Sequence, residues 1–221
     1  MITMRHRIVF LRRSSRPLRS AVLVLALLAL AGCGTAPVTH YHSLMPTEIA
    51  PRTGTPAATG IAVVLEPIRM PAQVDQPQWL ILLADDSVAL LEQERWASPL
   101  RDEFRQALLE ELIVGQGAVD ARTQSVAGAA PWRIAIDVRR FDSLPGREAR
   151  MEGSWTITGG DARGGASRCE WLVREPAAGP LATLAAGHRR GVARLGAALG
   201  SALARSRRGE APGCPPLDDS R

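Results

Sequence analysis

The chain has 221 residues with 27 basic and 22 acidic side chains, a formal charge of +5. That length suits one core, or one domain with tails. The positive excess sits at the N-terminus. Residues 1–20 carry Arg5, Arg7, Arg12, Arg13, Arg16 and Arg19 and no acid, so removing residues 1–32 would leave 21 basic against 22 acidic groups. A mature chain this close to neutral lacks the electrostatic footprint of a nucleic-acid binder.

The apolar stretch after those arginines, Ala21 to Ala31, is eleven residues long. A spanning helix needs about 20, whereas a basic segment, a short apolar run and small residues before a cut describe an export signal. Leu30-Ala31-Gly32-Cys33 resembles the bacterial lipobox, whose cysteine is acylated, palmitate among its acyl groups, and becomes the new N-terminus. An ordinary secretory signal with an incidental cysteine is the alternative. Arg12-Arg13 hints at twin-arginine export, but Ser14-Ser15-Arg16-Pro17 fits that motif poorly and the general secretion route is preferred. The expected organisation is a cleaved signal at 1–32, a lipidated tether at 33–37, a domain at 38–205 and a disordered tail at 206–221.

Along the domain, Val38, His40, His42 and Leu44 alternate with Thr39, Tyr41 and Ser43, which predicts a strand. Residues 46–60, with three prolines and two glycines, predict a linker or long loop. Ile61 to Leu65 predicts a β-branched strand ending at Pro67, and "WLILLADD" with "SVALLEQE" predicts a hairpin turning at Asp85 and Asp86. Ser98 as N-cap and Pro99 as the first helical residue open a helix whose Leu100, Phe104, Ala107, Leu108 and Leu112 share one face. "WRIAIDVRRF", "EARMEGSWTIT" and "SRCEWLV" predict three neighbouring strands in an antiparallel meander. A closing helix over about Leu181 to Ala204 places Leu184, His188, Val192, Leu195, Leu199 and Leu203 on one stripe. The fold class is α/β or α+β: a mixed sheet with an antiparallel meander packed against two main amphipathic helices in a single domain.

The residues offer little for catalysis. Beyond the signal the histidines are His40, His42 and His188. His40 and His42 share a strand face, but no nearby cysteine or H-E-x-x-H motif completes a metal site, so ordinary strand histidines are expected. His188 falls on the apolar stripe and reads as a core-edge residue. "GGDARGG" lacks Walker spacing and reads as a hairpin loop, Asp85-Asp86 as a solvated turn, and Gly196 to Gly200 ("GAALG") as close packing against a sheet. No enzyme activity, cofactor or metal is expected. Cys169 and Cys214 remain after Cys33, and in an oxidising compartment they either pair, stapling the tail, or stay free. Trp96 lies between charged residues and the helix start, where it either seals the strand-to-helix corner or faces a partner.

The lipobox cysteine, Tyr41-His42-Ser43-Leu44 soon after it, "VLEPIRMPAQVDQPQWL" at 64–80, "ERWASPLRDEFRQALLEEL" at 94–112, the "VRRF" strand, "GSWTI" and the final alanine-rich helix together resemble the ABC-type transport auxiliary lipoproteins, or PqiC family. The likeness spans nearly the whole mature chain. It departs at His42, where a second aromatic is common, and in the cysteine-bearing tail. The resemblance implies a non-enzymatic subunit of a lipid transport system, acting with a periplasm-spanning mammalian-cell-entry (MCE) domain protein and an inner-membrane component in support of membrane integrity. Gly34, where an aspartate is absent, resembles sorting to the outer membrane. Cys33 would then hold the domain on the periplasmic face of that membrane through acyl chains, with Arg95 and Trp96 ordering the partner surface. The sequence leaves a homo-oligomer open. A lipoprotein scaffold regulating a cell-wall or envelope assembly enzyme is the alternative.

Overall fold

The computed structural model describes residues 37–46, 61–124, 130–160, 166–210, 213–215 and 217. The signal, Cys33, most of the expected linker and residues 161–165 of the glycine-rich turn lie outside them. Within the compact unit that starts at Thr39, the elements run β1 His40–His42, β2 Ala62–Leu65, β3 Gln78–Leu82, β4 Val88–Trp96, α1 Leu100–Glu110, a π-helical turn Glu111–Gly115, β5 Val119–Asp120, β6 Trp132–Leu144, β7 Glu148–Gly159, β8 Ser167–Pro176 and α2 Leu181–Arg207.

The expected α+β arrangement is present, built on two sheets where the sequence predicts one. A three-stranded sheet has the order β1-β4-β3 and a five-stranded sheet the order β5-β2-β6-β7-β8. Both are mixed: β1 runs parallel to β4 and β3 antiparallel to it, while β2 is parallel to β5 and β6 and β6-β7-β8 form the expected meander. Pro67, Pro71 and Pro77 fall between β2 and β3, and the chain still bonds β6 beyond the first of them, from the Arg69 amide to the Ile136 carbonyl at 3.1 Å, before it passes to the second sheet.

The five-stranded sheet buries one face. Ile134, Ile136 and Val138 of β6 point inward; the register then slips between Val138 and Arg140, so Phe141 and Ser143 point inward too. A bulge therefore absorbs Arg139, the first arginine of "VRRF", and keeps both halves of a thirteen-residue strand facing the core. Leu184, His188, Val192, Leu195, Leu199 and Leu203 of α2 are all buried, as are Leu100, Phe104, Ala107, Leu108 and Leu112 from α1 and its extension.

Two details correct the sequence reading. The cap of α1 is Pro99, and the Ser98 hydroxyl bonds the Glu103 carboxylate at 3.0 Å instead of a backbone amide. Gly196 and Gly200 face the end of α1, because a Cβ at the first would lie 2.7 Å from Glu111 Cβ and one at the second would strike the Gln116 side chain. The close packing of "GAALG" is thus helix against helix, not helix against sheet.

The segment from residue 206, expected to be a disordered tail, is tied down in its described parts. Ser206 and Arg207 belong to α2, Leu217 is buried, and its carbonyl accepts a 2.7 Å bond from Arg194. Cys169 of β8 and Cys214 are joined, with Cα atoms 5.4 Å apart across 45 residues of sequence.

Candidate functional site

The N-terminal strand is held by groups far away in sequence. Glu94 on β4 lies opposite His40, and its two carboxylate oxygens bond His40 Nδ1 at 3.0 Å and His42 Nε2 at 2.6 Å. Burial pushes the Glu94 carboxyl up, but the hydrogen bonds from His42 and then His40 outweigh it and hold the group below the usual glutamate range. Just beyond β1, buried Glu103 at the start of α1 accepts from Ser43 Oγ at 2.6 Å and from the Leu44 amide at 2.9 Å. Arg189 of α2 donates to the Ser43 carbonyl at 3.0 Å. Residues 40–44 are therefore clamped to β4, α1 and α2 together.

Behind this clamp runs an aromatic seam. The His42 ring meets the edge of Trp79 at 4.6 Å, Trp79 meets Trp96 at 4.7 Å, Trp96 meets Phe141 at 5.9 Å, and Phe141 stacks on His188 at 3.9 Å. These rings join the three-stranded sheet, β6 and α2, so each sheet covers part of the other's buried face. Trp79 Nε1 donates to Ser143 Oγ at 2.8 Å, and Ser143 Oγ is 2.8 Å from His188 Nε2. Full burial lowers the His188 pKa to about 3, so its ring is neutral at any ordinary pH. His188 lies inside the core rather than at its edge, and its Nδ1 has no hydrogen-bond partner. Ser143 is also buried, so this serine–histidine pair is a polar link within the seam.

Trp96, one of the two residues expected to order a partner surface, is 3% exposed within this seam. It seals the strand-to-helix corner and supports a surface only through its neighbours, since a buried ring cannot touch a partner. Arg95 is different. It pairs in register with Tyr41 of β1 on one side and Gln78 of β3 on the other. In the same β3–β4 ladder Leu80 opposes Leu90 and Leu82 opposes Val88, and a register irregularity in β4 brings Arg95 opposite Gln78. Alternation along β3 then puts Gln78, Leu80 and Leu82 on one outer face with their partners Arg95, Leu90 and Val88, and with Tyr41, the β1 partner of Arg95. Trp79 and Ile81, on the other face, are buried. A cleft of ≈ 250 Å³ lies where Leu80, Leu82 and Val88 meet Arg139, Arg140 and Asp142 of the β6 bulge. Arg140 is ion-paired there with Asp142 at 3.4 Å and Glu152 at 3.7 Å, and Arg139 with Glu170 and Glu152.

Sequence reasoning missed Glu94 and Glu103 as clamps and the outer apolar face. The acids are 52 to 60 residues from what they hold. The face left a weak trace: "VALL" is apolar at every position, and a half-buried strand with a wet side should alternate. Among the described residues no group of three or more histidines, cysteines or acids is arranged to hold a metal ion, and no helix is long and apolar enough to cross a membrane.

Two helices covering one side of a meander, with a smaller sheet joined to it by an aromatic seam, define an α+β domain. Residues 43–200 match the model of the ABC-type transport auxiliary lipoprotein component, and the chain belongs to that family. The fold is similar to that of protein XCC0632 from Xanthomonas campestris, of the DUF330 family, at TM-score 0.56 and 14% identity over 77% of this chain and 98% of that one. It is similar also to an uncharacterized protein of solved structure, at TM-score 0.59 and 16% identity over 74% and 97% of the two chains. No curated protein matches the chain.

Proposed function

We propose that this lipoprotein, acylated at Cys33 and held on the periplasmic face of the outer membrane, docks the distal end of an MCE-domain protein that spans the periplasm from an inner-membrane ABC-type component. In this reading it turns over no substrate and serves lipid transport and membrane integrity by holding the partner in place. The family match over residues 43–200 carries the proposal, and the lipobox at residues 30–33 supports it. The clamp on residues 40–44 fits the same reading, because a domain that holds a partner against a membrane transmits load through the strand that follows its anchor. In the oxidising periplasm the Cys169–Cys214 pair would close the C-terminal segment onto β8.

Affinity capture of the full lipoprotein from detergent-solubilised envelope tests this. An MCE-domain protein and an ABC permease are expected among the captured chains. Capture of a cell-wall synthase in their place would move the assignment to an envelope-assembly scaffold.

A further inference from the structure

The large apolar side chains exposed among the described residues from Thr39 onward are Tyr41, Leu83, Val88, Leu90 and Val114. Three of them, Tyr41 at 67%, Val88 at 59% and Leu90 at 40%, project from the same outer face of the three-stranded sheet. A concentration of this kind marks an interaction surface, whereas single exposed leucines need no explanation.

We propose that the occupant of this face is the bilayer itself: Tyr41, Val88 and Leu90 rest in the headgroup region of the membrane that holds Cys33. The proposal rests on the anchoring reading above, because chain length is what selects lipid over other occupants. Six residues separate Cys33 from His40, and at roughly 3.5 Å per residue they reach no farther than about 25 Å. β1 and its neighbour β4 thus stay beside the lipid surface at a high effective concentration. The chemistry of the face agrees. Tyr41 stands beside Arg95 across the β1–β4 pair, and an aromatic ring with a cation is the pairing that membrane interfaces favour. Asp85 and Asp86 at the hairpin tip and exposed Glu92 oppose deep insertion, so the contact is shallow, at headgroup depth.

Hydrogen exchange read by mass spectrometry tests the face separately from acylation. The mature chain is held at residue 33 on nickel-chelating lipid by a histidine tag in place of residues 1–32, on vesicles of phosphatidylethanolamine and phosphatidylglycerol. We expect amides of residues 83–90 to exchange about fivefold more slowly on vesicles than free in solution, with β7 and β8 unchanged. Leu90→Glu should remove that slowing while far-UV circular dichroism stays the same. Equal exchange on and off the vesicles would overturn the proposal. So would slowing that grows with protein density, the mark of a second copy, or slowing that appears only when solubilised envelope partner is added. Failure of Cys33 acylation, read from the intact mass of the native lipoprotein, would sink the anchoring reading and leave this measurement to judge the face alone.

Discussion

The outer faces of the two sheets are opposites. On the five-stranded sheet Arg139 bridges Glu170 and Glu152, Arg140 bridges Glu152 and Asp142, and Arg150 bonds Asp142 at 2.6 Å. Every one of those charges is answered within the sheet, and such exposed ladders contribute little beyond solubility. The three-stranded sheet instead offers exposed apolar side chains, Tyr41, Val88 and Leu90. Charged side chains that answer one another leave no surface in need of cover; the exposed apolar face is the informative one.

The contrast is broken most severely from within, at the seam that joins the sheets. Trp96→Ala should cost about 3–5 kcal/mol of stability in urea unfolding, while Tyr41→Ala on the outer face should stay within about 0.5 kcal/mol. Similar losses at both positions would mean that the outer face is structural. Cys214→Ser should cost about 2–4 kcal/mol, the range expected when a loop of this length is opened. The difference should vanish when both proteins are measured under reductant.

Acid sharpens the comparison further. His188 is neutral in the folded protein, with its pKa lowered from 6.5 to about 3 by burial, so the unfolded chain binds its proton first. Stability is fully present above pH 6.5 and falls as pH drops toward 3, by up to about 1.4 kcal/mol per unit. His188→Gln should flatten this slope in urea titrations at stepped pH, whatever it does to stability at neutral pH. The smallest effect is expected at Glu94. Its carboxyl sits below the usual range, so its contribution is present above the unfolded value of 4.5 and disappears as pH falls through the folded value. Glu94→Gln should loosen β1 alone, seen as faster amide exchange at residues 40–44 with little change in global unfolding.

Much of the fold is legible in the sequence because it follows local periodicity. The α1 and α2 stripes, the β3–β4 hairpin and the β6-β7-β8 meander all come from apolar spacing and turn residues. The division into two sheets is not local: β1 joins β4 as a parallel strand 54 residues away, and no periodicity records such a choice. The same holds for the surface. Arg95 and Trp96 are adjacent in "ERWASP", yet the strand pleat sends one to the outer face and the other into the core, and only the register with Tyr41 and Gln78 shows which is which. Trp96 is prominent in the motif for its packing.

The anchor at Cys33 underlies the whole account, and the intact mass of the lipoprotein extracted from density-separated membranes tests it most directly. The expected result is a chain beginning at Cys33, carrying acyl groups and recovered in the outer-membrane fraction, with Cys33→Ser lost from that fraction. A chain that keeps residues 1–32, or begins at Cys33 with no added lipid mass, would contradict it.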